Sequence, residues 1–319
     1  TLKTNTTGDK NTAVGKNALF SATTADVNTA VGFNTLSDNT TGTFNTGVGA
    51  YALEGNTTAS YNTSVGYVSM YANTTGASNT AVGYAALDAN TTGNNNTVMG
   101  DTSGSAITTG SQNLILGKDT ALALTTGSYN VMLGGYQIAA GLSTGNYNIG
   151  IGGAQTAGTL TTGDFNTYMG YYSVASSSSV SGELVIGTGN NAHTGKGTNT
   201  GFISPNNGAV YQGNNSTTWS QTSDKRIKKN IIDNNVGLEK IKNIQVRNFE
   251  YKLPEEISDG LTKNDAINKQ GIQLGVIAQE IENILPDMVT TESTGCKTVD
   301  ADNMTWYLVN AVKELSTQV

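Results

Sequence analysis

One aliphatic side chain returns at the same point of every 17- or 18-residue stretch through the first 187 residues: Val14, Val31, Val48, Val65 and Val82, then Met99, Leu116, Leu133, Ile151, Met169 and Ile186. An Asn with a Gly four residues on keeps step with it. The pair runs from Asn11/Gly15 and Asn28/Gly32 to Asn130/Gly134 in steps of 17, then to Asn148/Gly152 and Asn166/Gly170 in steps of 18. Most units read T-T-G-x-x-N-T-x-V-G-x-x-A-L, and Glu183–Gly187 is a degenerate eleventh. Each unit holds one short β-type run, a glycine, a small apolar pair such as Ala18-Leu19 or Ala52-Leu53, and a Thr-Thr-Gly turn. A helical repeat needs about 33 residues or more, and glycines at this density oppose helix. Short strands between Gly/Asn turns instead predict a β-solenoid with one coil per unit. Eleven coils stacked at about 4.8 Å make a rod of about 50 Å. The asparagines are expected to ladder along it, each amide bonding the next coil. One Val and one Leu per coil is a thin core for a free-standing rod. Burial of these stripes against two further copies is therefore expected, giving a trimer, with an intertwined triple β-helix as the competing geometry.

The pattern stops near residue 187, and the chemistry changes near 222. The first 222 residues hold five Lys, no Arg, nine acids and 34 of the 39 glycines. The last 97 hold 12 basic and 15 acidic residues with five glycines. This predicts a repeat shaft over 1–187, a transition or neck over 188–222 and a second domain over 223–319. In that domain Val246, Phe249 and Tyr251 read as a strand before a turn at Pro254. Val276, Ile277, Ile281, Ile284 and Leu285 lie at helical spacing that Pro286 ends. Leu308, Val312, Leu315 and Val319 step by 4, 3 and 4, the seam of a coiled coil.

Several chemistries are excluded or weak. A single cysteine, Cys296, forms no intrachain disulfide and no zinc cluster, and the lone His193 has no ligand set around it; neither metal nor cofactor is expected. A net charge of −7 and repeats without arginine argue against nucleic-acid binding. No apolar run is long enough to span a bilayer. His193-Thr194-Gly195-Lys196-Gly197 lacks the first glycine and the Ser/Thr of a phosphate loop. Glu255-Glu256, after Pro254, reads as a solvated turn rather than a glycosidase pair. The Asn-x-Thr triplets at Asn5, Asn39, Asn56, Asn73 and Asn90 are by-products of the repeat.

The NTAVG-like units resemble the head repeats of trimeric autotransporter adhesins and the Gly/Asn-rich shafts of phage tail fibres. A more specific resemblance lies behind them. Thr222-Ser223-Asp224-Lys225-Arg226-Ile227-Lys228-Lys229-Asn230-Ile231, Phe249-Glu250-Tyr251-Lys252, Gly275-Val276-Ile277-Ala278-Gln279-Glu280 and Leu285-Pro286-Asp287-Met288-Val289 occur in order. Together they resemble the peptidase S74 intramolecular chaperone domain of phage tail spikes and endosialidases. The resemblance implies a homotrimer that drives assembly of the β-fibre before it and then cuts itself off. It places the cut at Thr222–Ser223 and the catalytic roles on Ser223 and Lys228. It implies a virion tail protein, assembled in the host cytoplasm, that faces a host receptor or polysaccharide. The fold expectation is then mainly β: a trimeric β-solenoid or triple β-helix-like fibre, then a small α+β domain ending in a coiled coil.

The chemistry of the pair stands beside the resemblance. The Ser223 hydroxyl reaches the Thr222 carbonyl through a five-membered ring, but it needs a base. A lysine serves as base when desolvation or cationic neighbours lower its pKa, and Lys225, Arg226 and Lys229 crowd Lys228. Residues five apart point about 140° apart on a helix and to opposite faces of a strand. The pair therefore needs a bend or a chain interface. The plain alternative makes Ser223 a helix N-cap and Lys228 a solvated charge. Other functions stay open: a bacterial trimeric adhesin without catalysis, a polysaccharide-degrading spike, and a membrane-linked transcription factor.

Overall fold

The computed structural model describes residues 1–319 except 190, 206–209, 214–219, 222, 259, 264–265, 268, 293 and 319. The chain divides into two compact units, Thr1–Ser223 and Asp224–Val319. The first is a β-solenoid. Its strands stack in parallel and in chain order, each repeat pairing residue for residue with the next, as in Thr12↔Thr29, Ala13↔Ala30, Val14↔Val31. The same register carries Thr80–Val82 onto Thr97–Met99 and Ile149–Gly152 onto Thr167–Met169. Neighbouring coils thus belong to one chain, not to intertwined chains. The parallel stack continues past Gly187, since Leu184–Thr188 pairs with Gly201–Pro205. Two antiparallel strands, Val210–Gln212 and Ser220–Gln221, follow it.

Of the two apolar stripes that the sequence marks for burial, the chain itself buries only the Leu stripe; the Val column lies on the outside of the coil. Strand side chains alternate in direction, and the inward one is the residue before each Val. Ala30, Ser64 and Ala81 are fully buried, whereas Val14, Val31, Val48 and Val65 are exposed. The apolar interior comes from the other sides of the coil, through Leu19, Leu36, Leu53, Met70 and Leu87. Halfway along, the core exchanges volume between columns. The Leu column shrinks to Gly104, Ala121, Ala139 and Ala157, while the inward strand column grows to Val98, Ile115 and Met132, falls back to Gly150 and rises again to Tyr168. A Cβ on Gly104 would lie 3.1 Å from Ile107 Cδ1 and 3.4 Å from Ile115 Cδ1, so the larger side chains fill the space the leucine vacates. Summed volume is what a packed interior conserves.

Asparagine ladders tie the coils. Asn45 Oδ1 accepts from the Asn62 backbone N–H at 3.0 Å, and Asn62 Nδ2 donates to Gly76 O at 2.9 Å. The next rung repeats both bonds through Asn79. A second ladder, Asn39–Asn56–Asn73–Asn90, donates Nδ2 to the preceding Oδ1 at 2.8–2.9 Å. It ends where Ile107, Leu124, Leu142 and Leu160 take over that column, coincident with the core exchange. At the corner after each strand, glycine is required. Gly83 has φ +139°, and a Cβ there would sit 2.2 Å from the Gly100 carbonyl oxygen.

Two half-buried acids, Glu54 and Asp88, each carry a buried carboxylate oxygen without a hydrogen-bond partner. In Asp88 that atom is Oδ1, and burial raises the carboxyl above its usual range. A raised folded-state pKa means that the ionised form opposes folding above the unfolded-state value and ceases to do so below it. Asp88→Asn is therefore expected to raise the melting temperature at pH 7. The gain should shrink toward zero as the pH falls below the ordinary Asp value of about 3.9, read by thermal melts across pH.

The second unit is α+β. Helix α1 (Leu238–Asn243), helix α2 (Ala278–Glu282) and helix α3 (Asp302–Gln318) accompany two short hairpins, Arg247–Phe249 with Gln273–Gly275 and Val289–Thr291 with Lys297–Val299. Ile281, Leu285 and Met288 form the small core, with Ile244, Val276, Val299, Met304 and Tyr307 against it. The helical run expected over Val276–Leu285 is confined to α2, because Gln273–Gly275 is engaged in a strand. Ala311 of α3 is buried, and Asn310 Nδ2 donates to Asn234 O at 2.8 Å. Leu308, Val312 and Leu315 are exposed along α3, an unpartnered seam; Val319 lies outside the described residues. Trp306 is also exposed.

Candidate functional site

The candidate residues lie at the junction of the two units. Ser223 ends the first unit, and Thr222, the other side of the expected scissile bond, lies outside the described residues. Past Ser223 the chain makes one turn of 3-10 helix, Lys225–Ile227. Its N-cap is Asp224, not Ser223, which sets aside the capping alternative for the serine. Asp224 Oδ1 accepts from the Arg226 backbone N–H at 2.8 Å, satisfying an otherwise orphaned helix-end donor. The Arg226 Nε donates to both Asp224 oxygens at 3.0 Å. This fork holds the Asp224 carboxyl below its usual range and raises the Arg226 guanidinium. Arg226, counted from the sequence as a like charge crowding Lys228, is thus matched by its own counter-ion. Lys228 closes the turn with extended backbone (φ −109°, ψ 146°), and its N–H donates to Lys225 O at 3.1 Å. Ser223 and Lys228 are both exposed; in sequence one precedes this turn and the other follows it. The bend that a pair five residues apart requires is present in the backbone; regular helix or strand does not run through it.

Glu255 and Glu256 stand in the 3-10 turn Pro254–Glu256, where the Glu256 carboxylate accepts from Leu253 N–H at 2.8 Å; both are exposed. His193 lies in the short strand His193–Thr194, paired with Ser173–Val174. Cys296 is a free thiol. Among the described residues, no group of three or more His, Cys, Asp or Glu side chains is placed to hold a metal ion. Among the described residues, no helix is long and apolar enough to cross a membrane.

One buried polar cluster escaped sequence reasoning. Glu183 takes the column of the Asn ladder at the next rung, and its backbone N–H donates to Asn166 Oδ1 at 2.8 Å. Its carboxylate, fully inside, accepts from Tyr168 OH at 3.0 Å, Ser176 N–H at 3.1 Å and Gly197 N–H at 2.8 Å. Burial first, and the carboxylate second, push the Tyr168 phenol far up. Three donors on one carboxylate satisfy a charge that burial alone would not tolerate. The cluster closes the polar ladder near the base of the stack. Its signal in the sequence was the Asn-to-Glu change in an otherwise regular column.

Residues 223–290 match the family model of peptidase S74, the chaperone of endosialidase. The chain matches no curated protein and no solved structure.

Proposed function

We propose that this chain is a segment of a homotrimeric phage tail fibre or spike, whose C-terminal domain assembles the shaft and then releases itself at Thr222–Ser223. The observation that carries the reading is that the peptidase S74 match opens on Ser223, the residue at which the two compact units meet. A cut at that point would separate two units that each have their own core. The order, rod first and chaperone last, suits a β-fibre whose long-range pairings fold slowly.

The reaction is written on this chain's own atoms. Lys228, as free amine, takes the proton of the Ser223 hydroxyl. The oxygen attacks the Thr222 carbonyl carbon; the C–N bond breaks, an ester bond forms, and the Ser223 nitrogen leaves as an amine after gaining a proton. Water then opens the ester, giving the Thr222 carboxylate and restoring the Ser223 hydroxyl. Each chain turns over once. The exposed location of both residues favours completion of the site by neighbouring chains, so that cleavage waits for assembly.

Trimerisation is supported by the second unit's uncovered apolar groups. Besides the α3 seam, Ile227, Ile231, Ile232, Ile272 and Leu274 are exposed, apolar surface that contact with further copies would cover. Replacing Val312 and Leu315 together by lysine is expected to abolish the trimer, read as a threefold lower mass in native mass spectrometry, and cleavage with it. The direct test is intact-mass measurement of freshly expressed protein. Two products, the second beginning at Ser223, agree with the reading; a correctly assembled trimer that stays uncut contradicts it. A polysaccharide-degrading spike would in addition release reducing sugar from capsule or lipopolysaccharide. Delivery of this rod to a host surface receptor or polysaccharide, as part of the virion, is the role it would serve.

A further inference from the structure

The shaft's exposed apolar side chains are not scattered. Four columns present them on one face: the corner residue before each strand, the two outward strand residues and the corner residue after it. In one rung these are Tyr61, Thr63, Val65 and Tyr67. Of the shaft residues with large apolar side chains left exposed, all but Tyr71 and Tyr136 lie in these columns, with Tyr61 and Phe165 each more than 60% exposed. Six residues of extended chain span about 20 Å, and eleven rungs at about 4.8 Å span about 50 Å, so the face covers about 1,000 Å². A stable interface takes about 800 Å² from each partner, so this face, its threonines and polar corners included, is large enough to form one.

Resting on the trimeric reading above, we infer that this face is the contact between copies of the chain, with the corner column before the strand in one copy meeting the corner column after the strand in the next, rung against equal rung. The observation that points there is a match between two columns too far apart to touch within one chain. In three rungs both corners are large and apolar: Val27 with Phe33, Tyr61 with Tyr67, Phe165 with Tyr171. In three both are polar: Lys10 with Lys16, Asn95 with Asp101, Gln112 with Lys118. Phe44 faces the small Ala50, and the rungs of Ser78 with Tyr84, Tyr129 with Gly135 and Tyr147 with Gly153 depart from the pattern. Matching of this kind has a physical use when the two edges meet at equal height in parallel copies. An antiparallel pair would set the polar rungs against apolar ones. A threefold ring joins different patches of neighbouring chains, as this edge-to-edge contact does.

The aromatic columns themselves argue against a sugar as the occupant. Phe44 and Tyr61 stack at 5.1 Å and 4°, and Tyr147 and Phe165 at 4.9 Å and 5°. Each ring covers one face of its neighbour along the rod. A sugar ring docks on an aromatic face; an apolar partner surface is served by edges.

The test uses the full chain carrying Cys296→Ser, with Asn95→Cys, Asp101→Cys or both, treated with a bis-maleimide too short to bridge the two positions within one chain. Native mass spectrometry is run alongside. The double variant is expected to give covalent trimers on a denaturing gel, and each single variant to stay uncoupled. Gln112→Cys with Lys118→Cys gives the same test on the adjacent rung should the first pair impair folding. A trimeric native mass without covalent trimers from either pair overturns the assignment of this face. Dimers from a single variant overturn the edge-to-edge geometry. A monomeric native mass overturns the trimeric reading itself, and this inference falls with it.

Discussion

Ser223→Ala should leave one full-length band on a denaturing gel where the parent chain gives two. The effect is all or none, because the substitution removes the atom that attacks and nothing else in the turn takes its place. The hydrogen bonds that define the turn come from Asp224, Arg226 and Lys225, so the local backbone is expected to survive the loss of the hydroxyl. Lys228→Met probes the other half of the pair. Loss of a positioned base slows a proton transfer by about 10²–10⁴-fold, so this variant should cleave over hours or days instead of stopping outright. Native mass spectrometry must find both variants trimeric. A monomer would show that assembly, not chemistry, had been lost. A second readout separates the roles of cut and uncut chains. On the proposed function, a released shaft would have lost its folding template and would be held by its unfolding barrier. Once melted, it should fail to refold, whereas the uncut Ser223→Ala chain should recover.

The second large effect is expected inside the shaft. Asn62→Ala deletes the amide that donates to Gly76 O and the oxygen that accepts from Asn79 N–H, both fully buried. Each orphaned group costs about 1–3 kcal/mol, so the change should destabilise the stack by about 2–6 kcal/mol. The solenoid's coils bond mainly to their neighbours, so the damage should be local before it is global. Hydrogen exchange should show lost protection at the Asn79 amide and in the adjoining rungs, with distant rungs unaltered. Uniform loss of protection over the whole shaft would instead mean that it melts as a single cooperative body.

The period of the shaft was legible in the sequence; its phase was not. A column of valines looks like a core, yet the core position is the Ala, Gly or Ser beside it. The reason is the narrow cross-section. Leu53 and the asparagines enter from the other sides and leave room for only a small side chain from the strand. Hydrophobicity therefore marked the outer face, and the inner one was marked by size. The Asn ladder was readable because its two functions, donor to a glycine carbonyl and acceptor from an amide, require the same residue at every rung. The change of packing at Gly104 and Ile107 could not be anticipated from any single unit, since it is a trade between columns. At the junction, the residues of the candidate pair were legible from the Thr-Ser-Asp run and the lysine five places on. The Asp224–Arg226 fork was not, because a two-residue spacing specifies no geometry until a turn forms.

Over the rungs of Asn28 to Asn96 each coil bonds the next through the same asparagine and backbone atoms, which gives that stretch of the rod a natural unit of length. Adding or deleting one 17-residue segment lengthens or shortens it by about 4.8 Å and presents identical joining surfaces above and below. Slippage or recombination between near-identical stretches of coding sequence would thus change reach while leaving every junction satisfied, provided that whole units are exchanged. A fibre gene built this way can tune how far from its base the tip is held, in steps finer than the width of a single helix.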